Sequence, residues 1–440
     1  MLSHADNMRM CQVARETPMG TALRRFWVPA LSSDLLPEPD GDPYKLELMG
    51  EKLVAFRNSE GKVGILSEKC CHRSASLAMG RVEECGIRCL FHGWKFGVDG
   101  AVMETPNVAN PRFRERFKAR AYPVREAGGF IWTYLGPAEQ EPPFPHWRYF
   151  DADPDKRLTR TTIVPGNFVG YLEALLDSSH LTLLHRDAFK RETETEIAFQ
   201  SNVANVADRA DPEIEVEDTE FGFHYSAVRP VQTDRGLRPE ARVTSFAAPF
   251  HIANANGDFV MMVVPMNDDR TIHHFVWWSD EQRLAHDPQR RATLQFTGLT
   301  DEIMHDFGIH PLSWFEPGKP NRENNFRQNR QSMRDGAYSG LPIFFPEDVA
   351  MLASTQDIRD RSEEHLGPCD LPVAKLYRVL LNLAKTVERG ETPLALSADP
   401  MRIRGTQGLV PDGGTWRDLV PEHVALGSPA RAAPAQSATG

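Results

Sequence analysis

The 440-residue sequence has no apolar run close to the ~18 residues that a membrane-spanning helix needs. Its amino terminus, MLSHADNMRMCQVARE, has no apolar stretch of the kind that a secretory signal peptide contains. These two absences argue against a membrane protein and against a secreted one. We therefore expect a cytoplasmic protein that makes no membrane contact.

Cysteine is also scarce, and positive charge is outweighed by negative charge. The chain has 6 cysteines, and its 50 lysines and arginines are outnumbered by 61 aspartates and glutamates, which leaves a net charge of −11. Because a reducing compartment keeps thiols free, we expect no disulfide framework, and we expect Cys71 and Cys85 to be small buried thiols. The acidic balance, without an evident basic stripe, argues against a nucleic-acid partner.

Four residues of metal-ligand type come in two short pairs. Cys70 and His72 form a C-x-H pair, and Cys89 and His92 form a C-x-x-H pair after a gap of 16 residues. A Rieske [2Fe–2S] cluster uses this ligand set, because it binds one iron through two cysteines and the other through two histidines. Structural zinc accepts the same residue types, but its usual spacing is C-x₂₋₄-C with H-x₃₋₅-H. The pattern favours the iron–sulfur cluster and leaves zinc as the alternative.

A second motif, DSSHLTLLH, follows further along the chain. His180 and His185, together with a carboxylate from elsewhere, fit the 2-His-1-carboxylate triad of non-haem Fe(II) oxygenases, which leaves positions open for oxygen and substrate. Two histidines in an apolar helix are by themselves more often packed and hydrogen-bonded. The coexistence of the two motifs favours a protein in which one site stores electrons and the other uses them on O₂.

These segments resemble the oxygenase (alpha) component of Rieske non-haem iron aromatic-ring-hydroxylating oxygenases, and most closely the phthalate 4,5-dioxygenase-like branch. The resemblance runs from about residue 17 to about residue 385. It rests on TPMGTALRRFWVPA, on C-x-H…C-x-x-H-G-W, on NFVGYLEALLDSSHLTLLH and on FPEDVAM…DIRDRSEEHLGPCD. The chain departs from the family's pattern at Ser74, where relatives commonly carry glycine.

The resemblance implies an α+β fold, with an N-terminal Rieske β-sandwich domain and a C-terminal helix-grip (START/Bet v 1-like) catalytic domain built on a curved antiparallel sheet. Short strands with turn signals in 44–136, including a tight Asp99-Gly100 turn, agree with the first domain. The second domain is predicted to contain strands over 240–250, 258–266 and 271–279, and helices over 281–299, 350–366 and 373–387.

The predicted organisation has four segments. The Pro-rich stretch GPAEQEPPFPHWRYF marks the boundary between the two domains, and the small, polar end of the chain is typical of disorder. The segments are 1–43, which packs on the domains, 44–145, the Rieske domain, 146–427, the mononuclear iron catalytic domain, and 428–440, a disordered tail.

The family's motifs place the mononuclear iron at His180, His185 and a late carboxylate that aligns with Asp348. Glu347 is the alternative ligand, and either acid would otherwise be an ordinary residue at a helix amino terminus, where it stabilises the dipole. The i,i+5 spacing puts the two imidazoles about 140° apart on a regular helix. We therefore predict a wide, π-like turn within 177–187.

The resemblance also assigns Asp177 a role in catalysis. The family's aspartate joins the Rieske site of one subunit to the iron site of its neighbour, because it accepts a bond from the ligand that corresponds to His180 and another from His92 across the interface. A helix-capping acid is the alternative. Asn167 is expected near the iron, with a helix-capping residue as its alternative. Trp94 is expected to pack over the cluster and exclude water.

The branch commonly acts on aromatic carboxylates, which need a cationic anchor in an apolar pocket. Arg229 and Arg242 are the candidate anchors, and solvated strand-edge arginines are the alternative.

The implied function is that of a terminal oxygenase. Electrons come from a separate NAD(P)H-dependent flavin/iron–sulfur reductase, and O₂ is used at a mononuclear Fe(II) to hydroxylate an aromatic compound. The expected assembly is a homotrimer or a stacked hexamer. A Rieske monooxygenase acting as an aryl-ether O-demethylase is the alternative. A pure electron carrier and a ligand-binding helix-grip protein with a vestigial metal site are hypotheses from other functional classes.

Overall fold

A computed structural model describes residues 2–197, 209–397 and 399–420. Within these ranges, no helix combines the length and the apolar character that crossing a membrane would take. The predicted tail at 428–440 lies outside the described residues, and the limits of the four predicted segments stay predictions.

The N-terminal half consists of short antiparallel strands in three sheets. The strands are β1 Trp27–Ser32, β2 Tyr44–Leu48, β3 Glu51–Arg57, β4 Val63–Ser67, β5 Arg81–Glu83, β6 Gly86–Arg88, β7 Lys95–Phe96, β8 Val102–Glu104, β9 Ala121–Tyr122, β10 Val124–Ala127 and β11 Phe130–Tyr134. Strands β2, β3, β4 and β9 form one four-stranded sheet, β5 to β8 form a second, and β1, β11 and β10 form a third. The predicted Asp99-Gly100 turn joins β7 to β8, and Gly100 has φ +82°. A shared core that includes Phe56, Ile87 and Phe96 packs the first two sheets together.

The C-terminal half is built on one antiparallel sheet. Its strands are β12 Arg157–Pro165, β13 Glu213–Asp218, β14 Gly222–Thr233, β15 Gly236–Ala247, β16 His251–Ala253, β17 Phe259–Pro265, β18 Arg270–Trp278 and β19 Thr406–Leu409. Their order in the sheet is β12-β18-β17-β16-β15-β14-β13, and β19 pairs with β15. The three predicted strand regions are confirmed by β15, β17 and β18. Strands β17 and β18 are buried almost throughout, as their continuous apolar sequence requires.

Helices cover this sheet and the N-terminal segment. They are α1 His4–Cys11, α2 Pro18–Leu23, α3 Phe168–Leu176, α4 His180–Leu183, α5 Gln289–Thr297, α6 Asp301–Phe307, α7 Arg330–Arg334, α8 Phe345–Leu352 and α9 Leu371–Glu388. The amphipathic α9 packs against α1, α2, α3 and β13. These helices and the antiparallel sheet confirm the predicted α+β fold.

Two helix predictions are partly wrong. The helix predicted over 281–299 begins only after Pro288, because the residue before a proline is disfavoured in helical conformation. The helix predicted over 350–366 begins earlier, with Pro346 in its first turn, and ends at Leu352. The polar segment that follows it, STQDIRD, consists of bends and irregular backbone.

A buried polar cluster holds α1 and α3 against the segment after α8. Asn7 Nδ2 donates to the Arg359 carbonyl at 2.8 Å, and Arg361 donates to Asn7 Oδ1 at 3.1 Å. Both arginines also donate to the carboxylate of Glu173, a buried residue of α3. Because an unpaired buried carboxylate is costly, this cluster fixes α3, which leads directly into the DSSHLTLLH motif.

Candidate metal centres and active site

Two similar turns carry the Cys and His pairs of the N-terminal half. The Ser74 N–H donates to the Cys70 carbonyl in the first turn, and the Gly93 N–H donates to the Cys89 carbonyl in the second, each at 2.9 Å. Ser74 and Gly93 both have positive φ, +58° and +74°. Each cysteine is therefore followed, four positions later, by a left-handed residue that closes the turn around the histidine.

The four ligand-type side chains of these turns come together. The rings of His72 and His92 have centroids 4.6 Å apart, and the Cys70 and Cys89 thiols are neighbours. Nδ1 of His92 is buried and has no hydrogen-bond partner within the described residues. Burial raises the pKa of the Cys70 thiol to about 11, so a thiolate there requires a bound cation. This donor set fits a [2Fe–2S] cluster.

Trp94 packs directly on one of these ligands. Its indole ring stacks on His72, with centroids 4.7 Å apart and 3° between the planes. Its Nε1 donates to Asn107 Oδ1 at 2.9 Å. The predicted packing is confirmed, and a buried indole on this side limits the access of water to the cluster site.

In the second motif, α3 ends just before the first histidine. Asp177 is extended, with φ −96° and ψ 121°, and its Oδ1 accepts from the Ser179 N–H at 2.7 Å. A single turn, α4, then begins at His180 and ends at Leu183, so that His185 follows it. The predicted π-like turn is wrong, because the helix breaks and restarts. The break leaves the rings of the two histidines with centroids 5.2 Å apart.

Asp348, in the first turn of α8, joins the two histidines. Its Oδ1 lies 3.0 Å from His185 Nε2 and 3.6 Å from His180 Nε2, and the three ligand atoms lie within 4.8 Å of one another. Burial would raise the pKa of Asp348, but the imidazoles outweigh it and hold that pKa below its ordinary value. Although Asp348 Oδ1 lies 3.0 Å away, the buried Nε2 of His185 forms no hydrogen bond within the described part of the chain. These groups fit a mononuclear Fe(II).

A carboxylate lies within hydrogen-bond distance of Nδ1 in each of the two histidines. Glu347 Oε2 lies 2.8 Å from His185 Nδ1, and Asp177 Oδ2 lies 3.2 Å from His180 Nδ1. Burial would raise the pKa of Asp177, but its bond to His180 outweighs that effect and lowers it. Such partners fix the tautomer of the imidazole and leave Nε2 for a metal. Glu347, the alternative ligand, therefore lies behind a ligand rather than beside the metal position.

A cavity opens onto the three ligand side chains. Aromatic rings make up much of its wall, from Phe259, Phe275, Trp277, Phe344 and Phe345, and polar groups come from Tyr225, Arg242, Thr244, Asn254 and Asn256. An apolar chamber with a few polar groups is the usual form of a small-molecule site. The arrangement suits an aromatic compound held beside a metal.

Known families cover most of the chain. The Rieske [2Fe-2S] domain matches residues 26–123, and the family described as LigXa C-terminal domain like matches residues 133–437. The phthalate 4,5-dioxygenase oxygenase subunit of Pseudomonas putida is 33% identical over 96% of each chain. The chain belongs to the family of Rieske oxygenase components.

Two further comparisons agree with this assignment. The 3-chlorobenzoate-3,4-dioxygenase oxygenase subunit of Comamonas testosteroni is 31% identical over 88% of this chain and 90% of its own. The crystal structure of dicamba monooxygenase bound to dicamba has a TM-score of 0.57 over 84% of this chain and 99% of that one; at 16% identity it shows the shared fold alone. The protein is thus an oxidoreductase with a Rieske cluster and a non-haem iron, which sets aside the pure electron carrier and the vestigial binding protein.

The two candidate anchors of this Rieske oxygenase differ in position. Arg242 lines the cavity, donates to Gln407 Oε1 at 2.5 Å and Asn256 Oδ1 at 2.6 Å, and burial lowers its pKa to about 10. Arg229 instead donates to the Ser178 carbonyl at 2.8 Å and the Ser178 hydroxyl at 3.1 Å, which holds the break after α3. Both side chains are buried, so the solvated alternative is wrong for each.

Asn167 does not join the iron site of the oxygenase. It is the N-cap of α3, where its Oδ1 accepts from the Val169 N–H at 3.2 Å. Its Nδ2 donates to the carbonyls of Cys11 and Asp268, both at 2.9 Å. The expected place near the iron is therefore wrong, and the capping alternative describes this residue.

The two cysteines of the cluster loops are also placed differently from the expectation. All 6 thiols are free, but Cys71 is exposed and Cys85 is partly exposed. Both residues lie in turns. The prediction of buried thiols is wrong for Cys71, and Cys85 is less buried than expected.

Sequence reasoning missed three features of the oxygenase. These are the bond from Glu347 to His185, the bonds from Arg229 to Ser178, and a basic surface segment at 112–120. The first two join segments that are distant in sequence, so no local signal marks them. The third is visible as alternate arginines and lysines in PRFRERFKAR, but the net negative charge of the whole chain concealed it.

Proposed function

We propose that this oxygenase hydroxylates an aromatic monocarboxylate, using O₂ and electrons from a separate reductase. The proposal rests on the position of Arg242, which lines the same cavity as His180, His185 and Asp348. A buried guanidinium among aromatic rings is the anchor that a benzoate-type anion requires. By their names, the two curated relatives act on aromatic acids, which supports the same substrate class here.

One acid group suits the cavity better than two. Among the described residues that line it, Arg242 is the only lysine or arginine. A diacid would leave its second carboxylate without a cationic partner, and a buried, unpaired carboxylate is costly. We therefore favour a monocarboxylate over a phthalate-like compound.

The protein's own groups prepare the site for this reaction. When bound, the iron supplies the reduction of O₂ and the insertion of oxygen into the substrate. Asp177 and Glu347 hold the N–H groups of the two histidines, which keeps both Nε2 atoms as ligands. Arg242 orients the carboxylate, and the aromatic wall excludes water from the reacting ring.

The proposed assembly is a head-to-tail ring, as a homotrimer or as two stacked trimers. The cluster end of the chain exposes Leu90 and Phe91 by 59% and 56%. An open depression beside the iron ligands exposes Leu183 and Met351 by 48% and 47%, and Asp177 lies in its wall. Exposed apolar patches of this kind mark protein contacts. Seating one surface on the other brings the cluster of one chain beside Asp177 of the next.

The decisive experiment is reductase-driven turnover of aromatic acids and aryl methyl ethers under ¹⁸O₂, followed by product mass spectrometry. A diol with two labelled oxygens from a benzoate-type acid is the expected result. Loss of a methyl group with release of formaldehyde would instead support the O-demethylase alternative. Turnover of neutral aromatics with none of the acids would contradict the substrate class.

The assembly is tested separately, by native mass spectrometry of the holoenzyme. We expect a mass of three or six chains. A stable monomer that retains full turnover would contradict transfer between neighbouring chains.

A further inference from the structure

A basic segment of residues 112–120, here called the basic strap, lies on the surface of the N-terminal half. It carries five cations, Arg112, Arg114, Arg116, Lys118 and Arg120, against one acid, Glu115. Its net charge is therefore +4 in a chain whose net charge is −11, so the remainder carries −15. Charge of one sign concentrated in this way attracts a partner of the opposite sign.

The charges of the basic strap are available to such a partner. The side chains of Arg112, Arg116 and Lys118 are exposed, and no carboxylate of the described residues lies within ion-pair distance of them. Arg120, at the end of the strap, is the exception, because its guanidinium lies 3.3 Å from Glu51. Most of the positive charge is thus not neutralised within the chain.

The basic strap is in contact with the packing around the cluster. The rings of Phe113 and Phe117 lie 6.0 Å and 5.7 Å from the indole of Trp94, which in turn stacks on His72 at 4.7 Å. Arg116 lies over both phenylalanine rings, at 5.9 Å and 6.0 Å. A molecule bound on the strap is therefore separated from a cluster ligand by two layers of aromatic side chains.

We propose that the basic strap is the docking surface for an acidic electron-transfer protein or domain that reduces the Rieske cluster. One electron moves from the reduced donor to the oxidised cluster, and no bond forms or breaks. The strap differs in character from the apolar end around Leu90 and Phe91, which is the proposed contact between copies of the chain. The charge of −15 on the remainder disfavours a nucleic acid as the partner.

This inference rests on the proposed use of a separate reductase, and its test does not depend on substrate turnover. In stopped-flow experiments, the holoenzyme is mixed with a reduced acidic plant-type [2Fe–2S] ferredoxin, and cluster reduction is followed optically as ionic strength rises. The test variant is Arg112→Gln/Arg116→Gln. The matched control is Arg235→Gln/Lys385→Gln, two exposed cations outside the strap, which changes the net charge equally.

At low salt, we expect the strap variant to be reduced about tenfold more slowly than the unmodified protein, with a flatter salt dependence. The control should lose less than twofold, and dithionite should reduce both variants at the unmodified rate. Equal losses in the two variants would overturn the proposal, as would salt-independent reduction of the unmodified protein. A fall in native mass confined to the strap variant would assign the strap to subunit assembly and overturn it too. A failure of the proposed substrate class would leave cluster reduction unchanged, so the two failures are distinguishable.

Discussion

The Glu347 carboxylate lies 2.8 Å from Nδ1 of His185, a side chain with no exposed surface. Ser339 donates to the other oxygen of this carboxylate, and the Phe344 N–H donates to Oε2 at 3.0 Å. Glu347 is thus held from three sides while it orients a metal ligand. Its neighbour Asp348 faces the metal position, so adjacent acids have different tasks.

This relationship predicts a specific loss in Glu347→Leu. Iron affinity should fall about 10- to 100-fold, because His185 loses the partner that fixes its tautomer. Glu347→Gln should lose less, since its amide oxygen still accepts from Nδ1. Competition with a chelator, followed by iron analysis, measures the effect. Glu363→Leu, at an exposed glutamate, is the control, and normal iron affinity in Glu347→Leu would refute the assigned role.

The variants Asp348→Asn and Asp177→Asn should differ in their iron content. Asp348→Asn should lose the mononuclear iron, so that the content falls from about three to about two irons per chain while the cluster spectrum is unchanged. Asp177→Asn should keep all three and still lose turnover, because Asp177 lies behind His180 rather than beside the metal position and, in the proposed ring, at the contact with the next chain. Loss of iron from Asp177→Asn alone would reverse these assignments.

Arg242→Met should weaken the binding of an aromatic acid. A hydrogen bond to a charged group contributes roughly 1.5–3 kcal/mol, so KM should rise about 10- to 100-fold. The methyl ester of the same acid should be affected much less. Arg238→Met, on the same strand but paired with Asp412 at 2.7 Å, is the matched control. An equal rise in KM for acid and ester would remove Arg242 as the anchor.

Ser74→Gly should stabilise the cluster domain. Ser74 has φ +58°, a left-handed conformation that costs a non-glycine residue about 1–2 kcal/mol. After allowance for the greater freedom of glycine in the unfolded chain, we expect a gain of about 1 kcal/mol in the free energy of unfolding. Denaturant unfolding of the holoenzyme, followed by cluster absorbance, measures it.

The matching change at the other turn should have the opposite sign. In Gly93→Ala, the added Cβ would lie 2.7 Å from Pro106 Cγ at a φ of +74°. This variant should therefore be less stable than the unmodified protein. A loss of stability in Ser74→Gly would show that its hydroxyl outweighs its backbone strain.

Metal binding to the iron-free catalytic site should depend on pH. Burial alone would lower the pKa of His185, but Asp348 and Glu347 raise it, to about 9. The metal takes the neutral imidazole, so binding displaces a proton below that pKa, and affinity should rise with pH up to about 9. A Co²⁺ titration between about pH 6.5 and 8.5 checks this sign. An affinity that does not change across this range would contradict it.

Local sequence was sufficient to indicate the two Cys/His pairs and much of the fold. The C-x-H and C-x-x-H spacings each fit one closed turn, and the apolar runs of β17 and β18 predict buried strands without knowledge of their partners. The position of Asp348 came from the family's motif rather than from any local pattern. Its assignment depended on resemblance, and the geometry agrees with it.

What could not be predicted depends on contacts between distant segments. Asn167 has the same sequence context whether it caps a helix or approaches a metal, and only the positions of Cys11 and Asp268 decide. The break at Asp177 is stabilised by the hydrogen bonds that Arg229, a residue of β14, donates to Ser178. The i,i+5 spacing of His180 and His185 therefore predicts a distorted helix, whereas tertiary hydrogen bonds stabilise an interrupted one.

The contact between Asn7 and Arg359 spans 352 positions in sequence. Helix α1 leaves the ribosome long before the arginines that hold it, which are made about 350 residues later. Contacts this remote form late, after the rest of the fold has brought their partners together. Translation that stops before residue 359 therefore leaves the first helix undocked, and α3 without the charges that neutralise Glu173.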